Sequence, residues 1–331
     1  MNENLYPLKF RPILKSKIWG GNKLEQLLHK KPGNLPNIGE SWEISGYNNE
    51  VSVVSNGFLE GNTLEELVEV YMGDLTGEVI FEQFGIQFPL LIKFIEAKDL
   101  LSIQVHPGDE YAVEHYNSYG KTEMWYVIQA DPGAELISGF KKDTAPSEYQ
   151  KALESGKLKE LLNYEKVEEG DLFFIPAGRV HALGSGILLT EIQQTSDLTF
   201  RIYDWNRMGD DGKPRKIHAK EAIDVMDFGK TENAKTSYLP ILNKTTKLIG
   251  CEYFTTNLVW FDKQIEKDYI SIDSFVIYIC IKGSFLINYG NEEHVRVEAG
   301  DTILIPAVLK NVLLIPEAES KLLEVYIAEN Q

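Results

Sequence analysis

The sequence contains a small set of side chains whose types and spacing suit the binding of a divalent metal ion. Gln104 and His106 lie two residues apart in SIQVHP, a predicted strand, so both point to the same face. Glu123 and His181 are the candidates to complete a set of four ligands. Two imidazoles, a carboxylate and an amide oxygen leave a divalent ion with about one net positive charge, as Lewis-acid chemistry on an oxygen requires.

These candidates also have ordinary structural interpretations. Gln104 alone could be a strand residue bonded to the backbone, and either His106 or His181 alone could be a core histidine with satisfied hydrogen bonds. The spacing leaves Fe, Mn and Co open beside zinc. The other histidines match no ligand pattern, and surface roles are predicted for His29, His115, His218 and His294.

Polar side chains two residues before two of the candidate ligands form a second group. Lys121 precedes Glu123 and Ser102 precedes Gln104 at the i, i+2 spacing, so each is expected on the same side as the ligand if the strand has begun there. For Lys121, a surface position is the alternative.

Arg201 lies ten residues after Glu191 in the segment TEIQQTSDLTFR. A chain of net charge −17 needs a local cation in order to hold a phosphate dianion, and a guanidinium such as that of Arg201 suits this task. The alternative is a surface salt bridge from Arg201 to Asp197 or Asp204. Lys93 is a weaker candidate, because a strand lysine can also extend its ammonium group to the surface.

An internal repeat indicates two related β units. Residues 167–181 read VEEGDLFFIPAGRVH and residues 297–311 read VEAGDTILIPAVLKN, with Ile-Pro-Ala at the same offset. The first copy has Gly178 and His181, whereas the second has Val308 and Asn311 in the same places. The second copy is therefore predicted to be structural and to bind no metal.

The elements that must position these residues are mostly short strands. Runs rich in Val, Ile, Phe, Tyr and Trp alternate with Gly, Pro, Asp and Asn, as in a sandwich or barrel. Thr63 and Glu66 predict a capping box at the start of a helix. Further short helices are predicted over residues 109–116, over 147–162 with an interruption at Gly156, and from Ala219.

Composition excludes several classes of protein. The net charge of −17 repels phosphate backbones, so nucleic-acid and anionic-membrane partners are not expected. Cys251 and Cys280 are too few for a disulfide framework, and free thiols are favoured over a single bridge. No apolar run is long enough for a membrane span, and the N-terminus does not read as a signal peptide. A soluble, cytoplasmic protein is expected.

Longer motifs carry a resemblance to a known family. GDLFFIPAGRVH fits G-x5-P-x-G-x2-H, the second motif of the cupin superfamily. LLIKFIEAKDLLSIQVHPGDE, YGKTEMWYVI, IPAGRVHALGSG and TEIQQTSDLTFRIYDWNR follow in the order seen in type I mannose-6-phosphate isomerases. The chain resembles the short bacterial form of that family over roughly residues 6–230, although Lys121-Thr122-Glu123 stands where longer members have Lys-Pro-Glu.

The resemblance implies a mainly β fold of two cupin (jelly-roll) β-barrels with a few short helices. Residues 1–245 would form the catalytic cupin with helical decorations, and residues 246–331 a degenerate cupin. One Zn2+ per chain is implied, with a phosphorylated hexose as substrate and a monomer or homodimer as the assembly. The implied ligands are Gln104, His106, Glu123 and His181.

The implied reaction is the interconversion of mannose 6-phosphate and fructose 6-phosphate through a cis-enediol. Arg201, Glu191 and Lys121 are the implied catalytic residues, and Ser102, Lys121 and Arg201 the substrate-binding ones. Glu191 is the first candidate for the proton shuttle, with a water on the metal or Lys121 as alternatives. A sugar-sensing cupin, another phosphosugar isomerase and a cupin dioxygenase remain as rival functions.

Overall fold

The computed structural model describes residues 5–209, 212–290 and 293–328. Short strands dominate these residues, which confirms the predicted mainly β class. The strands form open sheets that are not closed into barrels, so the predicted closure is not confirmed. None of the described helices is long and apolar enough to cross a membrane.

The strands fall into an N-terminal and a C-terminal series. Those of the N-terminal series are β1 (Leu8–Arg11), β2 (Ile13–Gly21), β3 (Ile38–Ile44), β4 (Gly46–Tyr47), β5 (Glu50–Val51), β6 (Val53–Val54), β7 (Leu90–Ala97), β8 (Ile103–Val105), β9 (Glu123–Ala130), β10 (Glu135–Phe140), β11 (Leu162–Lys166), β12 (Leu172–Ile175), β13 (His181–Leu183), β14 (Ile187–Gln194) and β15 (Phe200–Tyr203). Those of the C-terminal series are β16 (Lys244–Gly250), β17 (Thr255–Phe261), β18 (Ile265–Asp268), β19 (Val276–Lys282), β20 (Ser284–Gly290), β21 (Glu293–Glu298), β22 (Thr302–Ile305), β23 (Asn311–Pro316) and β24 (Ser320–Tyr326).

The helices are short and lie between strands. They are α1 (Lys23–Leu28), α2 (Leu64–Thr76), α3 (Glu78–Phe84), α4 (Asp109–Tyr116), α5 (Pro146–Glu154) and α6 (Ala219–Val225), with a 3-10 turn over Leu158–Glu160. The predicted capping box begins α2, because the Glu66 amide donates to Thr63 Oγ1 and the Thr63 amide donates to Glu66 Oε2. The predicted helices over 109–116 and from Ala219 are present, and the stretch over 147–162 is divided near Gly156.

The N-terminal half consists of two facing sheets. One has six strands in the order β12-β9-β14-β7-β3-β2, and the other has five in the order β11-β10-β13-β8-β15. Apolar side chains of both sheets meet in one core, where Trp125 and Leu189 from the first sheet pack with Leu136 and Leu183 from the second. Residues that point between these sheets are therefore buried together.

The C-terminal half repeats this arrangement but borrows strands from the start of the chain. Its larger sheet has the order β16-β17-β24-β19-β22-β1-β6, with Leu8 of β1 opposite Leu304 of β22. Its smaller sheet has the order β18-β23-β20-β21. The predicted boundary at residue 245 falls within β16, and it remains a prediction, since β1 and β6 also pair into this sheet.

The two faces of β19 have different neighbours. Ile277 and Ile279 are buried in a core shared with the N-terminal half, whereas Tyr278 and Cys280 are buried inside the C-terminal half. Apolar residues on both faces of this strand predict that the C-terminal half has a filled interior and packs against a second layer. The two cores on either side of β19 match this prediction. Cys280 and Cys251 are both free thiols, as predicted.

Candidate metal centre

Strand register brings the candidate ligands together between the two N-terminal sheets. In the five-stranded sheet Gln104 lies opposite His181 on one side and opposite Arg201 on the other. In the six-stranded sheet Glu123 begins β9. Residues opposite one another on neighbouring strands have adjacent side chains, so residues almost eighty positions apart share one site.

Among the described residues, His106, Glu123 and His181 form the one group of three His, Cys, Asp or Glu side chains whose geometry could hold a metal ion. Their ligand atoms all lie within 4.8 Å of one another. His106 Nε2 is 3.6 Å from Glu123 Oε2, and His181 Nε2 is 3.5 Å from Glu123 Oε1. Gln104 Nε2 is 3.3 Å from His181 Nε2, and a half-turn of the carboxamide would present its oxygen instead.

Backbone carbonyls fix the orientation of both imidazole rings. His106 Nδ1 lies 2.8 Å from the carbonyl oxygen of Leu198, and His181 Nδ1 lies 2.9 Å from that of Arg179. Each Nδ1 therefore carries the proton, and each Nε2 offers its lone pair to the cluster. Burial and the nearby Lys121 lower the pKa of His106 well below its usual value, and burial lowers the pKa of His181 to about 3. Both rings are thus neutral, the form that binds metals.

Glu123 supplies the negative charge of the cluster. Its carboxylate is fully buried, and its Oε1 has no hydrogen-bond partner among the described residues. Burial and the charge of Glu191 raise the pKa of Glu123 to about 7 against the opposing effect of Lys121. A buried carboxylate oxygen without a partner is costly unless a cation binds it. The donor set therefore fits a divalent metal.

Lys121 lies at the edge of this cluster. Its Nζ contacts Glu123 Oε2 and lies 3.2 Å from His106 Nε2 and 3.7 Å from Glu191 Oε1. The side chain is 4% exposed, so the surface position considered for it is wrong. β9 begins at Glu123, so the strand geometry on which the i, i+2 prediction for Lys121 depended is absent, but the two side chains do touch.

Glu191 is held by three neighbours. Its register partners are Lys93 and Trp125, whose Nζ and Nε1 donate to the carboxylate at 3.1 and 2.9 Å. Burial raises the pKa of Glu191, but the charges of Lys121 and Lys93 outweigh it and bring the pKa to about 2. Lys93 is 3% exposed, so its ammonium does not reach the surface.

Arg201 does not form the salt bridge to Asp197 or Asp204 that was the alternative to its predicted anion-binding role. Asp204 is occupied by Arg207 and Arg215, and Arg201 has no ion pair among the described residues. One of its terminal nitrogens donates to the carbonyl oxygen of Lys216 at 3.1 Å, while its buried Nε has no partner in the described chain. Its guanidinium therefore retains donors for an anion.

A cavity of about 280 Å³ connects the two groups of candidates. Its lining includes the predicted residues Lys93, Ser102, Gln104, Lys121, Glu191 and Arg201. His106, Glu123 and His181 do not line it, but Lys121, which does, contacts Glu123 and lies 3.2 Å from His106 Nε2.

Sequence reasoning missed several other residues of the cavity lining, among them Arg215 and His218. His218 is half-buried, and its Nδ1 accepts a hydrogen bond from the Arg201 amide at 3.1 Å. No local pattern in KPRKIH reveals this position, since it depends on how the segment folds back over β15.

The described residues of the C-terminal copy contain no counterpart of the histidine cluster. Asn311 lies opposite Asp268, as His181 lies opposite Gln104. The register position of Glu191 is taken by Glu324, which lies opposite Asn257 and Tyr278.

Glu324 is buried in a polar network that the sequence did not predict. It accepts from Lys267 Nζ at 2.7 Å, from the Tyr269 hydroxyl at 2.6 Å and from Asn257 Nδ2 at 2.8 Å. An internal ammonium group thus balances the buried carboxylate of this half without a metal ion.

The fold and this site define the chain as a cupin-type protein with one candidate metal centre. Residues 8–159 match the family model described as phosphomannose isomerase type I, catalytic domain. The chain is 36% identical to a mannose-6-phosphate isomerase of Streptococcus mutans, with 92% of this chain and 94% of that protein covered. It is 41% identical to Mannose-6-phosphate isomerase ManA of Bacillus subtilis, over 75% of this chain and 78% of that one.

The fold comparison agrees. A crystal structure of the mannose 6-phosphate isomerase from Bacillus subtilis superimposes with a TM-score of 0.87 and 31% identity, over 97% of this chain and 99% of that one. The chain belongs to the type I mannose-6-phosphate isomerase family.

Proposed function

We propose that this protein is a zinc-dependent aldose–ketose isomerase that interconverts mannose 6-phosphate and fructose 6-phosphate through a cis-enediol in the cytoplasm. The observation that carries the proposal is one cavity lined by Gln104 and Lys121, at the candidate metal centre, and by Arg201, whose guanidinium has unused donors. Membership of the family supports the choice of substrate.

The reaction moves a proton between C1 and C2, and negative charge develops on the sugar oxygens. Zinc, when bound by Gln104, His106, Glu123 and His181, would supply Lewis-acid stabilisation of that charge. Arg201 lines the same cavity and is proposed to hold the phosphate of the substrate, a group remote from the reacting carbons. Ser102 is proposed to assist as a neutral hydrogen-bond donor.

Glu191 and Lys121 are the two candidates for the residue that moves the proton between C1 and C2. A catalytic base works best when its pKa lies near the working pH. With Lys93 and Lys121 both facing it, Glu191 has a pKa of about 2, which makes it a weak base at neutral pH. In this arrangement Glu191 is suited to keep Lys121 in place, and we assign the proton transfer to Lys121.

A coupled assay tests the function. Purified protein loaded with zinc is expected to convert mannose 6-phosphate to fructose 6-phosphate, monitored through enzymes that consume the product. Chelation of the metal is expected to abolish the turnover. Binding of the sugar phosphate without turnover would favour a sugar sensor, and turnover of a different phosphosugar alone would reassign the substrate.

Replacing Arg201 with alanine tests its role. Loss of one charge-assisted contact costs about 1.5–3 kcal/mol, so turnover should fall at least about tenfold to a hundredfold. Metal content and melting temperature should stay near those of the wild type. Arg207→Ala is the matched control, because Arg207 shares Asp204 with Arg215 but does not line the cavity. Unchanged kinetics in Arg201→Ala would return this residue to a structural role.

A further inference from the structure

The segment Gly120–Thr122 leads into β9 and carries Lys121 just before Glu123. Each of the three backbone amides of this segment donates a hydrogen bond to an acceptor outside the segment. The Gly120 amide donates to Asp109 Oδ1 at 2.7 Å, and the Thr122 amide donates to Gln194 Oε1 at 2.8 Å. The amide of Lys121 donates to the carbonyl oxygen of Pro107 at 3.0 Å. The position of Lys121 and Glu123 therefore depends on these acceptors.

The two side-chain acceptors are joined to each other and to the C-terminal half. Gln194 Nε2 donates to Asp109 Oδ1 at 3.0 Å, and the Tyr253 hydroxyl donates to Asp109 Oδ2 at 2.8 Å. Tyr253 lies in the turn between β16 and β17, where the Cys251 amide donates to the Phe254 carbonyl. A continuous hydrogen-bonded chain thus runs from the C-terminal half to the candidate metal centre.

We propose that Tyr253, Asp109 and Gln194 are positioning residues that set the backbone of Gly120–Thr122 and, through it, Lys121 and Glu123. The C-terminal half then contributes to the reaction geometry although it carries no metal ligand. The effect on turnover rests on the proposed function, whereas the effect on the metal centre does not require a particular substrate.

The packing around this segment leaves it little freedom. A Cβ placed on Gly120 would lie 2.7 Å from the Asp109 amide nitrogen and 2.7 Å from the Gly108 carbonyl carbon. Thr122 and Glu123 are 5% and 0% exposed. A shift of Asp109 is therefore transmitted to the segment, because close-packed atoms move together.

Tyr253 is a favourable place to perturb the chain of bonds. Tyr253, Asp109 and Gln194 line a cavity of about 580 Å³, larger than the one at the candidate site. Removing the Tyr253 hydroxyl extends a space that already exists and creates no new enclosed void. The effect of Tyr253→Phe should thus come from the lost hydrogen bond to Asp109.

The experiment compares full-length Tyr253→Phe with the wild type in zinc- and cobalt-loaded form. We expect kcat to fall roughly threefold to tenfold, the size of one hydrogen bond, with KM changed less than about twofold. The visible absorption of the cobalt protein should shift, since it reports on ligand geometry. Tyr6→Phe is the matched control, because the Tyr6 hydroxyl donates to the Asn56 carbonyl at 2.7 Å away from this segment. It should keep the wild-type kcat and spectrum.

A double-mutant cycle with Asp109→Ala identifies the pathway, because Tyr253→Phe should have little further effect once Asp109 is absent. Additive effects of the two substitutions would overturn the proposal. If Asp109→Ala fails to fold, Asp109→Asn takes its place in the cycle. A wild-type kcat and cobalt spectrum in Tyr253→Phe, with an active wild type, would overturn the positioning role and leave the function intact. An inactive wild type would refute the function, and the cobalt spectra would then decide the positioning role alone.

Discussion

His181→Ala is expected to lose its bound metal and nearly all of its activity, whereas the wild type holds one divalent ion per chain. His181 is fully buried, and its Nε2 faces Glu123, so no solvent-exposed group can replace it as a ligand. Without the metal the reaction loses several kcal/mol of charge stabilisation, and the rate should fall about a thousandfold or more. Elemental analysis of the purified proteins measures the first effect, and the coupled assay measures the second.

Asn311 provides the matched controls for this experiment. It occupies the register position of His181 in the C-terminal half, so Asn311→Ala should retain the wild-type metal content. Asn311→His should not gain a second ion, because Val276 occupies the register position of Glu123 and leaves Asp268 without a second carboxylate beside the new imidazole. A stoichiometry near two in the wild type, or unchanged metal in His181→Ala, would contradict the prediction.

A fragment that ends near Gly250 is expected to be insoluble or unfolded. Removal of the rest of the chain deprives β1 of its partner β22 and opens the core shared by the two halves. That core includes the ring pair Phe88 and Phe275, with centroids 4.5 Å apart. The N-terminal half would then expose a large apolar surface and an unpaired sheet edge, both of which favour aggregation. Solubility and circular dichroism of the expressed fragment measure the outcome.

Phe275→Ala in the full chain weakens the core shared by the two halves without removing the C-terminal half. Phe275 is fully buried in the shared core, and a Phe-to-Ala change in a core typically lowers the free energy of unfolding by about 3–5 kcal/mol. This variant should retain its metal while its melting temperature falls.

For the truncated chain, a soluble and active fragment that ends near Gly250 would show that the N-terminal half does not need the C-terminal half.

Local features of the sequence determined much of the candidate site. The separation of Lys121 and Glu123 by a single residue keeps the two side chains within reach of each other, and they touch although Lys121 precedes β9. The repeat located His181 and its replacement by Asn311, and the capping box at Thr63 located α2. Each of these inferences needs only neighbouring residues or a comparison of two segments of the same chain.

Tertiary structure alone decided which distant residues meet. Glu191 has a pKa of about 2 because strand register places Lys93 opposite it and folding brings Lys121 near it. Arg201 is available for an anion because Arg215 and Arg207 occupy Asp204, a competition that the spacing of these residues does not reveal.

The same limit applies to contacts between the two halves. The pairing of β1 with β22 and the bond from Tyr253 to Asp109 join residues more than a hundred positions apart. Such contacts depend on the packing of whole sheets, whose register is set by many weak interactions acting together. Local residue patterns specify the strands and the side chains they present, and the packing of the sheets determines which of those side chains act on one another.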